Sequence, residues 1–164
     1  MSFTEHINSK IRQGADGLRQ VEQWRKTSNS CIVFTNGCFD ILHRGHLEYL
    51  ALAAQLGTHL VVGINSDASV KRLKGAERPL IKEADRAFAL ACLEFIAMVI
   101  VFDEDTPANL IELLKPDVLT KGGDYTLDTI VGAKETIARG GSVQIIAFSE
   151  GYSTSSIIEK IRGK

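Results

Sequence analysis

Cys31-Ile-Val-Phe-Thr-Asn-Gly-Cys-Phe-Asp-Ile-Leu-His-Arg-Gly-His46 is the stretch whose reading decides the fold. Its first five residues, Cys31 to Thr35, form a nearly continuous apolar, β-branched run, the pattern of a strand buried on both faces. Asn36-Gly37 then permits a sharp turn. From 46 to 56 the apolar positions follow helical spacing, which Gly57 ends. The same alternation continues outward. Short apolar runs at His59 to Ile64, Met98 to Phe102, Asp117 to Thr120 and Ser142 to Phe148 read as four further strands, with helical patterns at 83–95, 106–114, 128–138 and 153–162. Lys115-Pro116 and Gly140-Gly141 stop two of these helices. Strand alternating with helix predicts an α/β fold, a five-stranded parallel sheet with helices on both faces. Upstream, residues 5–27 carry Ile7, Ile11, Leu18, Val21 and Trp24 at loose helical spacing broken by Gly14 and Gly17, so 1–29 is expected as a leader helix packed on a domain formed by 30–164.

The chain's 164 residues, 45% of them hydrophobic, suffice for one core and leave no room for a second domain. Nineteen basic against 20 acidic residues give a net charge of −1, so no global field draws nucleic acid or an anionic membrane, and any anion site must be local. Cys31, Cys38 and Cys92 are odd in number and lack a CxxC spacing, which predicts free thiols and a reducing compartment. With neither a signal-like amino terminus nor an apolar run of membrane-spanning length, the expectation is a cytoplasmic protein.

In a parallel sheet, ligands bind beyond the carboxyl ends of the strands. Polar residues and glycines gather there: the 35–46 segment, Asn65-Ser-Asp67, Lys121-Gly-Gly-Asp-Tyr125 and Glu150-Gly-Tyr-Ser-Thr-Ser155. Neither GxGxxG nor a P-loop occurs, so a phosphate site here needs another construction. Asn36 and Gly37 can present backbone N–H groups, and the helix entered near His46 adds its positive end. His43 and His46, three residues apart, can project to one side, and Gly45 keeps bulk away from an approaching phosphate. Taken alone, that spacing fits equally a histidine that caps the helix beside one that is solvated. A metal reading through Cys38, His43 and His46 lacks a fourth ligand.

The run Thr35-Asn-Gly-Cys-Phe-Asp-Ile-Leu-His-Arg-Gly-His46, together with Tyr152-Ser-Thr-Ser155, resembles the HxGH nucleotidyltransferase superfamily. Asn65-Ser-Asp-Ala-Ser-Val-Lys-Arg-Leu-Lys-Gly75, Arg78-Pro79, Asp105-Thr-Pro107, Lys115-Pro-Asp-Val-Leu119 and Lys121-Gly-Gly-Asp-Tyr125 look like the adenylyltransferase domain of bacterial ADP-heptose synthesis enzymes. The resemblance spans residues 30 to 162 and implies a Rossmann-like fold. It implies AMP transfer from ATP to a sugar 1-phosphate, D-glycero-β-D-manno-heptose 1-phosphate, with Mg²⁺ required and a separate sugar kinase as supplier. It further implies that His43 and His46 bind the phosphates, that Cys38 and Phe39 offer backbone contacts to the nucleotide, and that Asp40 orders the turn. Lys74 falls in a loop where relatives place a mobile lysine over the phosphates, with Lys71 as its competitor. Arg78 is a candidate ligand for the sugar phosphate. Tyr152, Ser153, Thr154 and Ser155 open the last helix, where hydroxyls and N–H groups can grip the β- and γ-phosphates. At Lys121, Gly122, Gly123 and Asp124 a ligand can lie against backbone, although a plain glycine turn with a salt-bridged lysine fits the same residues.

A glycerol-3-phosphate cytidylyltransferase shares both signatures, but enzymes of that kind resemble R-T-E-G-I-S-T-T where this chain has Phe148-Ser-Glu-Gly-Tyr-Ser-Thr-Ser155. A non-catalytic nucleotide-binding module would not require donors matched to a transition state. A redox role for Cys38 lacks a partnering cysteine. Relatives of this size pair through the sheet edge and leader, so a homodimer is expected, with no nucleic-acid or membrane partner.

Overall fold

A computed structural model describes residues 1–123, 125–147 and 151–163. The chain runs α1 (Phe3–Lys10), β1 (Ile11–Arg12), α2 (Gly14–Trp24), β2 (Ile32–Gly37), α3 (Arg44–Ala54), β3 (His59–Asn65), α4 (Asp67–Lys74), α5 (Glu83–Ala91), β4 (Ile96–Phe102), α6 (Ala108–Leu114), β5 (Val118–Gly122), α7 (Ala133–Ala138), β6 (Ser142–Ile146) and α8 (Thr154–Ile161), with a 3-10 turn at Leu127–Thr129 before α7. The strands form one parallel sheet in the order β1-β4-β3-β2-β5-β6.

Alternation along each strand divides the core into two layers. On one face Val33 of β2 and Leu60, Val62 and Ile64 of β3 meet Tyr49, Leu50 and Ala53 of α3 and Ala87, Leu90 and Ala91 of α5. On the other, Ile32, Phe34 and Val61 meet Leu110, Ile111 and Leu114 of α6, Ala133 of α7 and Val21 of α2. This burial on both sides is why these strands read as continuous apolar runs.

From β2 the chain crosses through α3 to β3, and from β4 it crosses through α6 to β5 on the opposite side of β2. Crossovers of one hand that run in opposite directions put their helices on opposite faces. They leave a crevice between β2 and β5. Backbone register between β2 and β3 extends from Ile32↔His59 to Gly37↔Ile64, whereas β2 and β5 share only Val33↔Val118 and Phe34↔Leu119. Beyond Phe34 and Leu119 the sheet parts.

Four expectations are corrected. The sheet has six strands, because β1 adds an edge strand too short to show any periodicity. The leader is two helices around that strand, with Ser2 and Glu5 closing a reciprocal capping box on α1. The helix expected at 128–138 is confined to 133–138, since Gly132, at φ 82°, breaks it from the preceding 3-10 turn. Residues 67–74 form a helix, capped where the Ser66 hydroxyl accepts from the Ser69 N–H, so Lys74 ends α4 and does not lie in a loop. No described helix is long and apolar enough to cross a membrane.

Candidate active site

Where β2 and β5 separate, a cleft of about 660 Å³ opens at the carboxyl ends of the strands. Asn36, Gly37, Cys38, Phe39 and Asp40 line one side together with His46 and Tyr49 of α3. Lys74, Arg78 and Asp105 lie along the rim, Lys121, Gly122 and Gly123 form the facing wall, and Thr154 closes the last side. Segments far apart in the chain are therefore brought to one cavity.

His43 is the N-cap of α3, its Nδ1 accepting the His46 N–H at 3.4 Å. The capping alternative is realised for His43, but His46 is not solvated. Its ring stacks on His43 at 3.8 Å between centroids and meets the edge of Phe39 at 5.2 Å. Burial, then the neighbouring His43 and Lys74, push His46 down to about 4. Burial also lowers His43. Both imidazoles are neutral near pH 7, able to donate from a ring N–H. Packing alone requires Gly45: a methyl group there would lie 3.0 Å from Tyr152 Cβ and 3.2 Å from the His43 ring. Tyr152 lies over His43 with ring centroids 6.4 Å apart. Arg44, exposed, pairs with Glu48 at 2.6 Å.

Asp40 is buried, and its hydrogen bonds go not to its own turn but to the segment from Arg78 to Ile81. It accepts from the backbone N–H groups of Leu80 and Ile81 and forms a 2.6 Å ion pair with Arg78 Nε. Burial alone would raise its carboxyl, but the bonds from Ile81, Leu80 and Arg78 outweigh it and hold the group below its ordinary range. Arg78 is thereby fixed at the cleft while its buried Nη2 has no hydrogen-bond partner among the described residues. Phe39 adopts a left-handed backbone at φ 48°, rare for a non-glycine residue. A methyl group on Gly37 would lie 2.9 Å from the Phe39 ring, so glycine is needed beneath it.

On the facing wall, Lys121 Nζ donates to Asn36 Oδ1 at 3.2 Å and lies 5.5 Å from the Tyr125 ring centroid. Burial lowers its pKa. Ser153 caps α8, accepting from the Ser156 N–H, while Thr154 lines the cleft. Asp124, Phe148 and Ser149 lie outside the described residues. No cluster of three or more His, Cys, Asp or Glu side chains suited to a metal ion occurs among the described residues.

The cytidylyltransferase-like family model matches residues 34–160. The chain belongs to this family. Among curated relatives, the bifunctional protein HldE of Geotalea uraniireducens (strain Rf4) is 56% identical over 155 residues, covering 94% of this chain and 31% of that protein. The bifunctional protein HldE of Helicobacter pylori (strain Shi470) is 58% identical over 134 residues, covering 80% of this chain and 27% of that protein. The chain thus spans less than a third of these relatives' length. A solved structure, the lipopolysaccharide core biosynthesis protein from Thermoplasma volcanium GSS1, is 30% identical with a TM-score of 0.59, and covers 76% of this chain and 99% of that one.

This cytidylyltransferase-like domain also builds its cleft from residues that sequence reasoning passed over. Arg86 of α5 is 1% exposed. It donates to the carbonyls of Ile81 and Cys38, and to Asp67 Oδ1 at the start of α4. Asp67 and Glu83 each accept the other's backbone N–H, closing the same junction. The available signal was an arginine on the stripe of Ala87, Leu90 and Ala91, where a charge is admitted only with partners. Tyr49 was legible too, one turn beyond His46 on the same face.

Proposed function

We propose that this nucleotidyltransferase domain transfers AMP from ATP to D-glycero-β-D-manno-heptose 1-phosphate, giving ADP-heptose for lipopolysaccharide core and pyrophosphate. One observation carries the reading: His46, stacked on its neighbour His43 at the entrance of α3, lines a cleft with Arg78 and Lys121, cations tethered at separate points of its wall. An anion on each side suits a reaction that joins two phosphates.

In this reading a phosphate oxygen of the sugar 1-phosphate attacks the α-phosphorus of ATP. The bond from that phosphorus to the bridging oxygen breaks, and pyrophosphate leaves with the electron pair. His43 and His46 donate to the triphosphate oxygens, where charge grows in the transition state. Lys74, exposed at the end of α4, swings over the departing phosphates. The N–H groups after β2 and the Thr154 turn hold the nucleotide, with Tyr152, Ser153 and Ser155 flanking it. Arg78, at the cleft, receives the sugar phosphate, and Lys121, Gly122, Gly123 and Asp124 hold the sugar. Mg²⁺ fits as an ion carried by the triphosphate, since Asp40 is spent on Arg78 and the described residues form no cluster of His, Cys, Asp or Glu suited to a metal ion. It supplies charge neutralisation on the phosphates. A sugar kinase activity supplies the sugar 1-phosphate.

The family model's cytidylyltransferase-like description favours one rival, cytidylyl transfer to glycerol 3-phosphate. The test is pyrophosphate release with Mg²⁺ and either ATP plus heptose 1-phosphate or CTP plus glycerol 3-phosphate. Release from the first pair alone is expected. Release from the second pair alone transfers the assignment to the rival.

A further inference from the structure

The backbone ladder between β2 and β5 stops at Phe34↔Leu119. At the next position, Thr35 and Thr120, both fully buried, are joined through the Tyr49 hydroxyl, 2.5 Å from Thr35 Oγ1 and 3.2 Å from Thr120 Oγ1. One position further, Lys121 Nζ bridges to Asn36. Two side-chain rungs continue the sheet where its backbone has parted, and both face the cleft.

The lower rung differs from the upper in one respect. Tyr49 belongs to α3, one helical turn beyond His46, so its hydroxyl ties three parts together: β2 with the nucleotide turn, β5 with the Lys121-Gly122-Gly123 wall, and the helix that carries the histidines. Burial raises the tyrosine pKa, so the hydroxyl stays protonated, able both to donate and to accept.

We infer that Tyr49 is a positioning residue, its hydroxyl fixing the width of the cleft at the β2–β5 parting and thereby the distance from His46 to the facing wall. The inference rests on the proposed transferase reading. Loss of the hydroxyl leaves the ring packed in the core but loosens α3 against the parted end of β5. Small displacements of donors aimed at a transition state lower the rate more than they weaken ground-state binding.

Tyr49→Phe is the test. The expected result is a retained fold, a fall in kcat for pyrophosphate release of about 5- to 10-fold, and a change in KM for ATP below about twofold. In the nucleotide-free protein, amide exchange at residues 45–48 and 120–122 should quicken several-fold while β3 and β4 keep their rates. Thr120→Val breaks the same rung, so the double variant should be no slower than Tyr49→Phe alone. A kcat within about twofold of the parent overturns the inference, as do additive losses in the double variant. If Tyr49→Phe does not fold, Thr120→Val is judged by the same kcat, KM and exchange criteria. A parent protein that releases no pyrophosphate from either substrate pair defeats the proposed function instead. Amide exchange then decides the inference, and unchanged or uniformly faster rates overturn it.

Discussion

His46 joins the helix cap through its backbone N–H and the ring stack and the cleft through its side chain. Replacing it with alanine should lower pyrophosphate release by about 10²- to 10³-fold, the usual cost of a lost transition-state donor, while circular dichroism stays that of the parent. Because His46 titrates at about 4 against an ordinary 6.5, the unfolded chain takes up the proton first as pH falls. Stability from the neutral imidazole is therefore complete above 6.5 and lost toward 4. Urea midpoints should fall through that window, and His46→Ala should shrink the slope. His43 and His59, lowered by burial as well, keep it from vanishing. Asp40 acts in a lower window. Its carboxyl lies below the ordinary 3.8, so its contribution is present above that value and lost only in stronger acid. At neutral pH, Asp40→Asn leaves the Arg78 guanidinium without its buried carboxylate and should cost about 3 kcal/mol in urea unfolding.

At the scale of elements, α5 reaches the cleft without lining it. Arg86 binds the carbonyl after β2, the carbonyl of Ile81 and the first residue of α4, so three connections converge on one guanidinium. Arg86→Lys keeps a charge but offers no planar fork, and should lower stability by about 2–3 kcal/mol, read from urea midpoints. The elements themselves were largely legible. Apolar β-branched runs, Gly57, Lys115-Pro116 and Gly140-Gly141 report local preferences that act within a few residues. α4 was missed because its buried residues are only Ser69 and Val70, so no apolar stripe announces it. Its stability comes from capping: Ser66 accepts from Ser69 and donates to Asp103, a partner 37 positions away.

Across the whole molecule, the leader belongs to both cores. Ile7 and Ile11 pack against one layer, Val21 and Trp24 against the other, and β1 covers the edge of β4. Trp24 also stacks on His59 at 4.2 Å. A chain restricted to 30–164 should consequently unfold at lower urea than the full chain and associate through the bared β4 edge, which sedimentation velocity would detect. Equal stability and a single unassociated species would make 1–29 a dispensable appendage.

The sequence by itself determined the alternation of strand and helix, the parallel sheet with its two covered faces, and the residues gathered at the carboxyl ends of the strands. These follow from side-chain periodicity and turn chemistry, which are local. Only the tertiary structure decided that β2 and β5 part after Phe34 and Leu119, that Asp40 holds Arg78, and that Tyr49 and Arg86 bind segments far apart in the chain. A buried hydroxyl or guanidinium is tolerated only where distant partners satisfy it. No pattern along the chain names those partners, because the crossovers that assemble the sheet are what bring them together.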